Sequence, residues 1–152
     1  MRKQQSGVML LEALIAILIF SLGILGIVGM QASAVNASRD AKYRSDAGML
    51  ANELIGQMWS GDRIGTTLRD NFQGDDDDAL GTSVLVDGPL FLLWRARVRA
   101  TLPGAADFDP RVTIAPGVVV PPQTSSLVNI VVRWRVPGDP VPHTYSVNLR
   151  II

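Results

Sequence analysis

The hydrophobic pattern divides the chain into stretches with different periods. Residues Val8 to Met30, VMLLEALIAILIFSLGILGIVGM, have no period at all, because the segment is apolar on every side. Its only charge is Glu12, and no charged residue occurs from Ala13 to Ser38. About 20 consecutive apolar residues cross a bilayer as a helix, so this run predicts a membrane-length helix. From Gln31 to Trp59 the period becomes helical. Ala47, Leu50, Ala51, Leu54, Ile55 and Met58 recur at three/four spacing, against polar Arg39, Asp40, Arg44, Asp46, Asn52 and Glu53. No proline interrupts the two stretches. They predict one continuous helix from about Val8 to Ser60, roughly 80 Å long at the helical rise, with Gly61 placed to cap it.

Beyond the helix the chain turns polar. Residues 61–81 read as a loop containing the acidic run Asp75, Asp76, Asp77 and Asp78. The C-terminal half shows period two. In Leu90–Thr101, Trp94, Ala96, Val98 and Ala100 alternate with Arg95, Arg97 and Arg99. In Leu127–Val136, Val128, Ile130, Val132, Trp134 and Val136 alternate with Asn129, Arg133 and Arg135. In His143–Ile152, Tyr145, Val147, Leu149 and Ile151 alternate with Thr144, Ser146, Asn148 and Arg150. Alternation with one apolar face marks half-buried antiparallel strands. Pro137-Gly138-Asp139-Pro140 supplies the turn between the last two. A Pro/Gly-rich connection fills 103–126, broken at Pro121-Pro122, with Val118 to Val120 as a short edge strand. A helix stripe and a three- to four-stranded antiparallel sheet cover each other in an α+β arrangement.

Composition narrows the chemistry. The chain has 152 residues, zero net charge, no cysteine and one histidine. The absence of cysteine removes disulfide frameworks, thiolate metal sites and cysteine nucleophiles. A single histidine leaves little for a histidine-based triad. Neutral balance argues against a general nucleic-acid binder. No G-x-S-x-G, phosphate loop or dinucleotide fingerprint occurs. His143 reads as a solvent or cross-strand side chain. The aspartate run reads as a solvated loop, since four consecutive carboxylates do not converge as the alternating ligands of a calcium loop do. No enzyme activity, cofactor, metal or small-molecule substrate is expected.

The N-terminus is more specific. A basic leader, MRKQQSG, precedes the apolar run, and positive charge before a first span holds that end in the cytoplasm. The apolar segment is longer than that of an ordinary secretory signal. A plain membrane anchor explains the length but leaves Glu12 as a cost of roughly 2.5–3.5 kcal/mol. Gly7-Val8-Met9-Leu10-Leu11-Glu12 resembles the type III signal of type IV pilins and pseudopilins. More loosely, residues 30–59 resemble the helix of PilV-type minor pilins. The first resemblance implies a leader of residues 1–7, cleavage between Gly7 and Val8 by prepilin peptidase, N-methylation of Val8, and glutamate as the fifth mature residue, Glu12. The family usually has phenylalanine first and serine or threonine second, where this chain has Val8 and Met9. Many pilins also place proline where Gly29 stands here.

The resemblance gives Glu12 a role in assembly. Cleavage would free an ammonium at Val8, costly if unpaired in a filament core of low dielectric. A carboxylate from a neighbouring subunit would neutralise it and fix register. Gly23, Gly26 and Gly29, each costing about 1 kcal/mol against alanine in a helix interior, fit either ordinary membrane-helix glycines or a soft segment.

The expected organisation is a leader (1–7), a transmembrane and filament-core half-helix (8–30), an amphipathic half-helix (31–60) and a globular head (61–152). The expected location is the inner membrane, with the head in the periplasm, and then the pilus at the cell surface. Expected partners are the peptidase, other major and minor pilins, the assembly platform and the membrane. A minor type IV pilin, a minor pseudopilin of type II secretion and a bitopic periplasmic binding or sensor domain all keep the anchor. Arg95, Arg97, Arg99, Arg133, Arg135 and Arg150 are expected together on the polar sheet face. That face is a candidate docking surface for an acidic loop or for DNA, or else simply a solvated face.

Overall fold

The computed structural model describes residues 6–75, 85–116 and 125–152. Helix α1 spans Ser6–Ser60, α2 Gly65–Phe72 and α3 Pro89–Thr101. Strands β1 (Arg111–Pro116), β2 (Ser126–Trp134) and β3 (His143–Ile151) follow. They form one antiparallel sheet in the order β1-β2-β3. This is the α+β architecture that the patterning predicts, with a long N-terminal helix and a three-stranded sheet. The chain divides into two compact units, Met1–Lys42 and Tyr43–Ile152, and α1 runs through both.

In the first unit every large apolar side chain from Val8 to Met30 is exposed. The helix is long and apolar enough to cross a membrane, with mean hydropathy 2.7 over an 18-residue stretch. Ser21 satisfies its own hydroxyl by donating to the Ile17 carbonyl at 2.7 Å, so it adds no stranded polar group to the segment. A Cβ added at Gly23, Gly26 or Gly29 meets nothing within 4 Å. No packing within this chain calls for glycine there.

The second unit holds the core. The predicted stripe of α1 is its floor: Ala47, Leu50, Ala51, Leu54 and Met58 are buried, and Ile55 is half-buried against them. From the sheet come Val112 and Ile114 of β1, Val128, Ile130, Val132 and Trp134 of β2, and Ile151 of β3. Tyr145, Val147 and Leu149 close the β3 side, partly buried. The predicted alternation of β2 and β3 is therefore present residue by residue. The turn between them is also the predicted one. Pro137 and Gly138 sit at its centre, Gly138 at φ +97°, and the Asp139 N–H donates to the Val136 carbonyl at 3.0 Å. Proline followed by glycine at positive φ is the signature of a type II turn.

Residues 90–101 correct the sequence reading: they are helix α3, not a strand. Trp94 and Val98 lie on both periods, so burial of the neighbours decides between them. Phe91, Trp94 and Val98, at helical spacing, are fully buried, whereas Ala96 and Ala100 are exposed. Pro89 at the first helical turn, with leucine, alanine and arginine behind it, favours the helix. The Trp94 indole N–H donates to the Leu50 carbonyl at 2.9 Å, fixing α3 on α1. The vacated place in the sheet is taken by β1, within the stretch read as an irregular connection. Only Val112 and Ile114 point inward there, too few to show a period. Within residues 61–81, read as a loop, α2 forms because Leu68 and Phe72, four apart, reach the core. The expected edge strand at 118–120 and the Pro121-Pro122 break lie outside the described residues.

Three glycines carry tight approaches, and at Gly88, before α3, a Cβ would come 2.3 Å from the Asn71 backbone. Gly74, bridged to Val112 of β1, lies under the Phe91 ring, where a Cβ would come 2.1 Å from a ring carbon. Gly104, at φ +63°, turns the chain after α3. A Cβ there would lie 2.8 Å from the Arg135 carbonyl oxygen, beside the bond that the Arg135 N–H donates to the Pro103 carbonyl at 2.9 Å.

Truncating Leu54, which is fully buried, to alanine should cost the second unit about 2–5 kcal/mol. The same truncation at Leu18, 59% exposed, should leave that unit's unfolding unchanged. Urea titration followed by tryptophan fluorescence compares the two.

Candidate functional site

Two groups of candidate residues occupy different units. In the first unit, Val8 and Glu12 lie in the opening turns of α1, both exposed. They are four apart, so they share a helix face. Glutamate side chains on a helix point back toward its N-terminus. The carboxylate therefore leans toward the Val8 end. Among the described residues of this unit no apolar side chain is buried, and Glu12 stands at the head of an exposed apolar surface.

In the second unit the structure disperses the expected arginine face. Arg95, Arg97 and Arg99 are on α3, Arg133 on β2, Arg135 just past the end of β2, and Arg150 on β3. They do not form one polar sheet face. The reason is the helix: residues two apart on α3 point in different directions, whereas on a strand they would share a side. Arg150 remains exposed on β3.

Three of these arginines instead converge on one residue that sequence reading did not single out, Asp109, which is 4% exposed. Arg99 forks onto it: Nε donates to Oδ1 at 2.6 Å, and Nη2 pairs with Oδ2. Arg95 Nη1 lies 3.7 Å from Asp109 Oδ2 and 2.9 Å from Asp87 Oδ2. Its guanidinium also sits 5.7 Å from the centre of the Phe91 ring. Arg133 Nη2 donates to the Asp109 backbone carbonyl at 2.9 Å. Planar guanidinium forks on carboxylates combine charge with fixed direction. The network thus joins α3, β2 and the loops before α3 and before β1.

The network continues toward the acidic run. Asp75, 5% exposed, donates its N–H to Asp87 Oδ1 at 3.3 Å and stands 3.9 Å from Arg111 Nη2. This corrects the reading of Asp75 as part of a solvated loop. The chain folds it inward because its backbone and carboxylate both find partners. Asp76, Asp77 and Asp78 lie outside the described residues. At the rim, Arg97 pairs with Glu53 of α1, and Arg135 Nη2 with Asp107 Oδ2 at 3.2 Å. Nothing in the local sequence marks Asp109. It follows a phenylalanine and precedes a proline, and its partners come from two separate elements, α3 and β2.

His143 is a cross-strand residue, as expected of it. It pairs with Trp134 in the sheet register and stacks on its ring at 5.6 Å and 14°. Its Nε2 lies 2.8 Å from Asp139 Oδ2 of the turn.

Compared with known protein families, with curated proteins and with solved structures, the chain matches none.

Breaking a buried ion pair on one side strands the partner and costs about 3–5 kcal/mol, whereas an exposed pair is worth under about 1 kcal/mol. Without Asp109, Arg95 keeps Asp87 and the Arg99 side chain is 40% exposed, so Asp109→Ala should destabilise the second unit by about 1–3 kcal/mol, and Asp107→Ala by less than about 1 kcal/mol. Denaturant midpoints of the two variants check this.

Proposed function

We propose that the chain is a minor type IV pilin, made as a membrane-inserted prepilin and assembled through α1. One observation carries the reading: glycine and glutamate at the type III signal spacing, Gly7 and Glu12, stand at the head of a 23-residue apolar helix whose side chains are exposed on every side. Exposed aliphatic surface on that scale needs a nonaqueous partner. A bilayer serves before assembly, and the packed helices of other subunits serve after it. The α+β second unit, built on the distal half of the same helix, supports the reading as the head that remains in water.

In this reading the chain is a substrate and carries no reaction of its own. Prepilin peptidase cuts after Gly7, and Val8 gains one methyl. Glu12 then faces the new ammonium of an adjacent subunit. Pairing removes the cost of two isolated charges in an apolar core and selects one axial register. PilV-type minor pilins, whose helix residues 30–59 resemble, share this assignment, and the subunit would prime or join the filament from the inner membrane. The head is then periplasmic and later exposed on the filament.

Three measurements test the reading. Intact mass of the chain from membranes should show loss of residues 1–7 and gain of one methyl; an uncut leader would overturn the reading in favour of a bitopic binding or sensor domain. Glu12→Ala should still be cut, yet enter sheared filaments about tenfold less or worse; incorporation equal to wild type would remove the pairing role. Deletion of the gene should abolish surface pili and leave protein secretion normal. The opposite result would assign the chain to the pseudopilins of type II secretion.

A further inference from the structure

The two edges of the sheet differ. At β1, Gly74 takes the outer side: its N–H donates to the Val112 carbonyl at 3.1 Å, and the Val112 N–H donates to the Gly74 carbonyl at 2.8 Å. At β3 nothing corresponds. Its inner neighbour is β2, and among the described residues no segment pairs with its other side. A strand turns the backbone groups of alternate residues to each side, so a row of N–H and C=O groups stands open along β3.

The side chains repeat the asymmetry. On the core face Val132, Ile130 and Val128 of β2 are buried, whereas their register partners on β3, Tyr145, Val147 and Leu149, are only half-buried. The core is thus closed on the β1 side, where Val112 and Ile114 are buried, and open past β3. Nor does β3 carry the features that keep open edges from pairing. It runs nine residues in unbroken register with β2, without a bulge. It has no proline, and Arg150 is its one fixed charge.

We propose that β3 is a strand-addition site, filled by an extended segment of a different protein chain. Open main-chain groups select an extended backbone, and the half-covered side chains select apolar residues at alternate positions along it. Arg150 favours an acidic residue opposite. A second copy of this chain fits less well. Paired antiparallel through β3, it would be related by a two-fold axis normal to the sheet. That axis reverses the direction of α1, which packs on the core face, and two such helices cannot enter one membrane in the same sense. Paired head to tail, the copy would need the β1 edge, which Gly74 occupies. The argument from helix direction rests on the membrane reading of α1; the open edge does not.

The probe is a synthetic nonapeptide alternating valine and threonine, with glutamate for one terminal threonine. Two twins are N-methylated, one on every valine and the other on every intervening residue. Each is titrated into the 15N-labelled full chain in lipid nanodiscs. The unmethylated peptide should shift the β3 amide signals along a saturating curve and slow hydrogen exchange at alternate β3 residues. One twin should keep binding and the other should lose about tenfold or more. Only one set of peptide N–H groups can face β3 while the valines face the core, and a one-residue slip would turn the valines outward. Val147→Lys sets an inward charge on the edge and should weaken binding to a similar degree. The methylated twins keep the test decisive even where that change unsettles the core. Equal binding by both twins would mean an apolar contact without strand pairing, and unshifted β3 amides would mean no site; either overturns the proposal. So would a dimer of the full chain in detergent that Val147→Lys disperses, which would give the edge to a second copy. An uncut leader, which would overturn the pilin reading, leaves each of these outcomes as it stands.

Discussion

Burial of one stripe of α1 is the constraint on which the second unit rests. Ala47, Leu50, Ala51, Leu54 and Met58 all lose contact with water, and a fully buried leucine or methionine is worth about 1.5–3 kcal/mol. The two alanines in that stripe let the neighbouring elements come close. The sheet offers Val128, Ile130 and Val132 from its central strand, and α3 offers Phe91, Trp94 and Val98. The Trp94 N–H bond to the Leu50 carbonyl adds direction to an otherwise non-directional contact. The stripe and the inward residues do not use every apolar position: Met49 and Trp59 of α1, Leu92 and Leu93 of α3 and Leu127 of β2 stay exposed.

The ion pairs act within that frame. Asp109 is nearly buried, and a lone buried carboxylate is costly. Arg95 and Arg99 of α3 compensate its charge, and Arg133 of β2, far away in sequence, holds its backbone carbonyl. These arginines are therefore internal ties first. Charge reversal at Arg133 would disturb the fold as well as any surface role. Arg150, exposed on β3, remains a test position for docking.

The same helix has two kinds of surface. Its distal half has one apolar stripe and suits a water-facing head. Its proximal half is apolar all round, with Glu12 as its single charge, and suits a medium without water. A helix satisfies its backbone groups internally, so one element can pass from one medium to the other without a break in hydrogen bonding. The functional proposal draws on this physical division together with the Gly7-to-Glu12 spacing.

The sequence by itself determined the long helix, its stripe, the inward residues of β2 and β3, and the turn at Pro137-Gly138. Each is written in a local period or a turn residue pair, and local pattern is enough when it spans many residues. The segment 90–101 shows where pattern fails. Trp94 and Val98 satisfy period two and period 3.6 alike, and only the burial of Phe91 with exposure of Ala96 separates them. Strand β1 was hidden because two inward residues make no period. The Gly7-to-Glu12 spacing is local to one helix and so belongs to the sequence alone. The Asp109 network was not legible there. Its groups come from elements distant in the chain, and the distances among them exist only once the α1 stripe has drawn those elements together.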